Sequence, residues 1–161
     1  MTFRVRPYRA EDREAIAGVF YRAVREGTEG AYTERQREAW APRREPNWDK
    51  PDKLLDQWAF VAEDEGRLLG FMSLEPGGYL DMAFVMPEAK GGPVAPALYT
   101  ALIARARAAG LTHLTVRASI LARRFFLKQG WQVNEKSMHP ADGEIYETYL
   151  MSLDLSAPSQ G

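Results

Sequence analysis

The run Tyr79-Leu80-Asp81-Met82-Ala83-Phe84-Val85, then Met86-Pro87-Glu88-Ala89-Lys90-Gly91-Gly92-Pro93, then Val94 to Ala109, decides the fold. Its first part is apolar enough for a buried strand, and the proline and glycines of the second part break it. From Val94 on, Val94, Leu98 and Leu102 recur at helical spacing beside the strong helix formers Ala97, Ala101, Ala104 and Ala108. A helix that opens on a glycine turn straight after a strand directs unpaired backbone N–H groups and its positive dipole end at whatever lies there. Such an end suits an anion, most commonly phosphate. The plainer reading of the same glycines is a tight strand-to-helix connection.

Working outward, Phe3-Arg4-Val5-Arg6 alternates as a short strand closed by Pro7. Glu11-Asp12 open a helix whose apolar face is Ile16, Val19, Phe20 and Val24. Gly27 to Asp56 is polar, with Tyr32, Trp40 and Trp48 spaced through it. Thr33-Glu34-Arg35-Gln36 is a capping-box sequence that predicts a helix over 34–40. Pro42 and Pro46 interrupt, and a short helix is expected over 51–57. Trp58 to Ala62 and Leu68 to Leu74 flank Glu63-Asp64-Glu65-Gly66, the pattern of a hairpin with glycine in its turn. Beyond the central run, His113 to Ala118 reads as a strand. Leu121 to Gln129 is a short helix stopped by Gly130, and strands over 131–138 and 145–155 are joined at Asp142-Gly143. The order βα(α)βββαβαββ predicts an α+β fold: a central, twisted, mostly antiparallel sheet in which one crossover helix makes 79–85 and 113–118 a parallel pair.

Composition bounds the function. At 161 residues, with 45% hydrophobic and 27% charged residues, the chain is expected to form one domain over 1–155, with 156–161 a flexible tail. A net charge of −1 provides no global field for nucleic acid, and none is expected as a partner. The absence of cysteine excludes thiolate catalysis and zinc–thiolate sites, and with two histidines no metal site is expected. No apolar run reaches the length of a membrane span, and Met1-Thr2-Phe3-Arg4 lacks the apolar core of a signal peptide. No membrane partner is therefore expected, and the cytoplasm is the expected compartment.

Three segments resemble the GNAT superfamily of acyl-CoA-dependent N-acetyltransferases. Phe84-Val85-Met86-Pro87-Glu88 with Lys90-Gly91-Gly92-Pro93-Val94-Ala95 is similar to that family's strand and pyrophosphate loop. Ala118-Ser119 through Arg123-Arg124-Phe125-Phe126 to Gly130-Trp131 resembles its strand–helix segment ending in Gly-Phe. Ala31-Tyr32-Thr33 with Gln36 and Ala39-Trp40-Ala41-Pro42 resembles the substrate-side helix of one bacterial subgroup. The element order matches from Phe3 to Leu155. The resemblance implies acetyl-CoA as acyl donor, an amine acceptor, and coenzyme contacts from Phe84, Val85, Lys90, Gly91, Gly92, Val94, Ala95, Ser119 and Phe126. A homodimer is left open.

The match has departures. Lys90 replaces the Arg or Gln of the family loop, keeping charge but losing the planar fork. Pro93 occupies the central glycine position and Pro96 follows in the first helical turn, each removing one N–H from the anion-binding set. Phe126 occupies the position of a family tyrosine that protonates the departing thiolate. Phe125 is expected to anchor the core, leaving Phe126 free to lie along the pantetheine arm. Ser119 reads equally as a coenzyme contact and as a helix N-cap.

The family often places an acid–base group at the start of the strand that begins at Tyr79, making Asp81 and Tyr79 the catalytic candidates. The alternative for Asp81 is a paired strand carboxylate, and for Tyr79 a packing residue. Tyr32 and Trp40 are substrate-side candidates that equally read as helix-docking aromatics. His113 is expected on the surface and His139 in a loop with a structural role. Tyr146 and Tyr149 fall on opposite faces of the last strand, so only one faces any ligand. Against the enzyme stands a non-catalytic GNAT-like module that binds acyl-CoA or a protein partner. The two prolines and Phe126 favour the module, and the retained Lys90, Gly91, Gly92, Ala95 and Ser119 favour the enzyme.

Overall fold

The computed structural model describes residues 2–43 and 52–156, so Pro46, Trp48 and the tail from 157 onward lie outside the described residues. Strand β1 is Arg4–Pro7. Helix α1, Arg13–Arg25, follows a 3-10 turn and buries Ile16, Val19, Ala23 and Val24. Helix α2, Glu34–Trp40, starts as its sequence predicts: Thr33 Oγ1 accepts from Gln36 N at 3.1 Å, and Gln36 Oε1 accepts from Thr33 N at 2.8 Å. The helix expected over 51–57 is a 3-10 turn at Lys53–Asp56 capped by Asp52.

Strands β2 (Trp58–Asp64) and β3 (Arg67–Leu74) form the predicted hairpin. Its two turn residues, Glu65 (φ 49°) and Gly66 (φ 83°), are both left-handed, the twist that joins antiparallel strands tightly. Strand β4 is Tyr79–Val85, helix α3 Val94–Ala108, strand β5 His113–Ala118 and helix α4 Ile120–Lys128. Strands β6 (Gln132–Ala141) and β7 (Glu144–Asp154) close the described fold around Asp142 and Gly143, also left-handed.

The seven strands form one sheet in the order β1-β2-β3-β4-β5-β7-β6. All neighbours are antiparallel except β4 and β5, which pair in parallel at Tyr79↔Thr115 and Leu80↔Val116 and then part. A register slip sits beside that pairing: Ser73 opposes Met82 while Leu74 opposes Leu80, leaving Asp81 as an extra, bulged residue. A bulge bends its strand and increases the local twist, which carries the rest of β4 away from β5.

Helices cover both faces. Gly70 lies where β3, β4 and α3 converge; a Cβ there would fall 2.8 Å from Val85 Cγ1 and 3.2 Å from Leu98 Cδ1. Phe84, the neighbour of Val85 and so directed to the opposite face, stacks edge-on to Phe20 of α1 at 4.9 Å. Between these layers Leu74, Leu80, Leu98, Leu102 and Leu114 are wholly buried.

One ion-pair cluster ties the first strand to the rest. Arg6 donates to both oxygens of Asp12 at 2.8 and 2.9 Å and to Glu63 at 2.8 Å. The Arg6 and Asp12 side chains are each 11% exposed. The hydrogen bond from Arg6 holds the Asp12 carboxyl below its usual range, outweighing the opposing effect of burial. A depressed carboxylate contributes stability above its unfolded pKa of about 3.9, and that contribution is lost as pH falls through the lower folded value. Asp12→Asn is expected to cost roughly 1.5–3 kcal/mol at pH 7 in urea titrations. The gap to the parent protein should narrow as pH drops below about 4.

Candidate functional site

Where β4 and β5 part, a cleft of about 190 Å³ opens. Ala83, Phe84 and Val85 form one wall, Ser119, Ala122, Phe125 and Phe126 the other, and Lys90, Gly91 and Ala95 its mouth. Seven of the nine expected coenzyme contacts thus meet in one place: Phe84, Val85, Lys90, Gly91, Ala95, Ser119 and Phe126. The side chain of Val94 is instead wholly buried.

The turn before α3 has the form an anion site needs, in reduced measure. Gly91 sits at φ +80°, a conformation that side chains disfavour. Among the described residues the N–H groups of Gly91, Val94 and Ala95 have no acceptor. Gly92 N donates to Ala89 O at 3.1 Å, which removes Gly92 from the expected donor set. Pro93 is the N-cap and has no N–H to give, nor has Pro96. Lys90 Nζ donates to Gly27 O at 2.9 Å, just past the end of α1, and so brings an ammonium to the mouth.

A second cavity, of about 220 Å³, adjoins the first on the α2 side, and Trp40 and Ser119 line both. Its aromatic walls are Tyr32, Trp40 and Tyr146, with the Trp40 ring 5.9 Å from Tyr32 and 6.0 Å from Tyr146. Its polar residues include Arg117, His139, Asp142 and Thr148. The Tyr32 hydroxyl accepts from Ile120 N at 3.0 Å, the start of α4, and donates to Glu147 O at 2.6 Å. Tyr146 donates to Gln36 O at 2.8 Å. Burial pushes both phenols above their usual range, so they act as neutral donors at ordinary pH.

Asp81 and Tyr79 line neither cavity. The Asp81 carboxylate accepts from Gln57 Nε2 at 3.0 Å and pairs with Lys53 Nζ at 3.1 Å, so the alternative of a paired strand carboxylate describes its surroundings. The bulge also breaks the simple alternation that would set Tyr79 and Asp81 on one face of the strand. Burial, and then the Asp81 charge, raise the Tyr79 phenol, which is unsuited to a base near neutrality. Both phenylalanines line the cleft, but the deeper of the two is not the one expected. Phe126 is the core anchor, 1% exposed and 4.9 Å from the Trp131 ring, while Phe125 is half-buried against Tyr99.

Sequence reading missed Arg117, Asp142 and Thr148, and placed His139 in a loop when it stands in β6 on the cavity wall. Strand alternation offered a signal for Arg117, which precedes Ser119 by two residues. His139 carried none, since its place depends on β6 pairing with β7. His113 is exposed, and of the two late tyrosines Tyr146 faces the cavity while Tyr149 lies under the Arg123 guanidinium.

Serine at position 119 closes the circle between the two cavities. As N-cap of α4 its Oγ accepts from Ala122 N at 3.1 Å, which spends a lone pair and leaves its proton without an acceptor among the described residues.

Comparison with known proteins places this arrangement. Residues 30–143 match the family described as acetyltransferase (GNAT) domain. An uncharacterized N-acetyltransferase of Escherichia coli K12, YafP, is 32% identical over 148 residues, which are 92% of this chain and 93% of that protein. The structure of a GCN5-related N-acetyltransferase from Rhodopseudomonas palustris superposes with a TM-score of 0.87 at 32% identity, covering 96% of this chain and 97% of that one. The PaiA N-acetyltransferase of Thermoplasma acidophilum, solved in complex with coenzyme A, has the same fold, with a TM-score of 0.75 at 17% identity over 96% of this chain and 99% of the other. The parted parallel pair, the glycine turn between β4 and α3, and these relatives together show that the chain belongs to the GNAT acetyltransferase family.

Proposed function

We propose that this chain transfers an acetyl group from acetyl-CoA to a primary amine by direct attack. The observation that carries this reading is the meeting of two cavities at Ser119 and Trp40, one beside the glycine turn and one among aromatics. Neighbours of the same fold solved with coenzyme A and with acetyl-CoA support the choice of donor.

The residues present fit such a donor. The free N–H groups of Gly91, Val94 and Ala95 at the start of α3, with the Lys90 ammonium, suit a pyrophosphate. The β4 edge at Ala83–Val85, unpaired on its β5 side, suits the pantetheine arm and a thioester oxygen. Bound acetyl-CoA supplies an electrophilic thioester and a thiolate leaving group. The chain has no cysteine to form a covalent intermediate, so its residues orient, polarise and move protons.

We assign the acceptor's proton to His139 rather than to Asp81, since His139 lines the second cavity and Asp81 lines neither. The Ser119 hydroxyl, with its proton uncommitted, donates toward the sulfur where Phe126 has no proton to give. Tyr32 holds Ser119 in place through its bond to Ile120 N. The reduced donor set left by Pro93 and Pro96 favours the second reading, a non-catalytic module that binds acyl-CoA weakly or not at all and serves as a sensor or partner-binding subunit.

His139→Ala is expected to lower kcat by about 10²-fold or more while leaving the acetyl-CoA Kd unchanged. Asp81→Asn should leave turnover near that of the parent and lower stability by about 0.5–1.5 kcal/mol. Thiol-release kinetics and calorimetry measure both, and full turnover in the His139 variant would overturn the assignment of the base to His139. Ser119→Ala removes both cap and proton; Ser119→Asn keeps a cap acceptor without the hydroxyl. Both should lose roughly tenfold or more in kcat, at the low end of acid catalysis because a thiolate leaves readily. Acetyl-CoA binding with no acetylation across a broad amine panel would establish the non-catalytic reading.

A further inference from the structure

The second cavity is lined by a cation, Arg117, and a carboxylate, Asp142, and among the described residues the two form no ion pair. Arg117 is half-buried on β5 and lines the cavity with Tyr32, Trp40 and Tyr146. Its Nη1 donates to two neutral hydroxyls, Ser137 Oγ at 3.3 Å and Thr148 Oγ1 at 3.2 Å. Thr148 Oγ1 in turn donates to the Ser137 backbone O at 3.2 Å, so the Thr148 hydroxyl is held in place as a rest for the guanidinium. Among the described residues no carboxylate lies within salt-bridge distance of Arg117. Arg37, Arg105, Arg107 and Arg123 also lack one, but they rest on carbonyls or aromatic rings, whereas Arg117 stands on the wall of the second cavity.

A guanidinium cannot shed its proton, and removing it from water without a counter-charge is costly. The fold accepts that cost here and fixes one edge of the fork on oriented hydroxyls. The remaining N–H groups of the planar fork match the two oxygens of a carboxylate better than they match a point charge. Two residues further along the chain stands Ser119, at the junction with the donor cleft; two strand steps span about 6–7 Å. The cavity, about 220 Å³, has roughly the liquid volume of seven waters.

We infer that the acceptor is a small amine that also carries a carboxylate, an α-amino acid or short ω-amino acid, whose carboxylate pairs with Arg117 while its amine faces Ser119. This rests on the acetyltransferase reading for turnover, though not for binding. Aromatic walls at Tyr32, Trp40 and Tyr146 then receive the apolar part of the acceptor.

The test uses matched pairs, each amino acid against its carboxamide and its decarboxylated amine, with the full-length protein. The expected result is a preference for the acids of about tenfold or more in kcat/KM, as a charge-assisted hydrogen bond supplies. In Arg117→Met that preference should fall to near unity with the acetyl-CoA Kd unchanged, and Arg117→Lys should retain part of it. The parent protein's own discrimination needs no variant, so a misfolded Arg117→Met does not remove the test. Thermal protection by the same pairs gives a second readout. Acids that protect the parent but not the Arg117 variants, without any acetylation, would uphold the carboxylate site and overturn the transferase reading. Equal use of acids and amides, protection by neither, or preference for phosphate-bearing amines over carboxylates would overturn the inference.

Discussion

The rest of this molecule depends on two strands that agree to pair and then stop. A parallel ladder between β4 and β5 that continued beyond Leu80↔Val116 would fill the space now open to both cavities. The bulge at Asp81 ends it, because one residue too many on β4 redirects that strand while β3 continues to hold it from the other side. Lys53 and Gln57 fasten the bulged residue, so the Asp81 carboxylate is paired at the point where the sheet parts. Backbone groups that leave one ladder must find other partners, and a cleft lined by a strand edge turns that need into binding capacity.

Most of the fold was legible in the chain because its signals are local. The capping box at Thr33 and Gln36, the left-handed turn at Gly66 and the alanine-rich helix after Pro93 each need only their neighbours in sequence. The mouth of the first cleft was legible for the same reason, since a strand, its turn and the next helix are contiguous. The second cavity was not. Arg117, His139 and Thr148 come from three strands, β5, β6 and β7, whose register is set by pairing rather than by any short motif. Asp81 was misleading because a bulge of one residue changes what a strand position faces, and alternation gives no warning of it. Phe125 and Phe126 are adjacent on a helix, where the choice of which one points inward is fixed by Trp131 and Tyr99.

Electrostatics divide the protein in a similar way. The cluster of Arg4, Arg6, Asp12 and Glu63 sets two cations against two carboxylates and secures the first strand. The cations at Lys90 and Arg117 rest instead on a carbonyl and on hydroxyls. Uncharged partners orient a cation without cancelling its field, so charge remains available at the mouth of one cavity and within the other. The net charge of −1 hides this, because a total says nothing of where charges are unspent.

Strand β6 is the outermost strand of the sheet and is exposed along most of its length. It is also the strand that carries His139 to the acceptor wall. The donor side is drawn from β4 and α3, which hold the core together, and tolerates little change. An exposed border strand is different: substitutions there usually shift stability by no more than about 0.5 kcal/mol. Pro140, Lys136 and Glu135 on that border discourage a stray chain from adding to the sheet. Substitution along β6 therefore carries small thermodynamic risk, and one wall of the second cavity can be redrawn while the cleft beside β4 and α3 keeps its form.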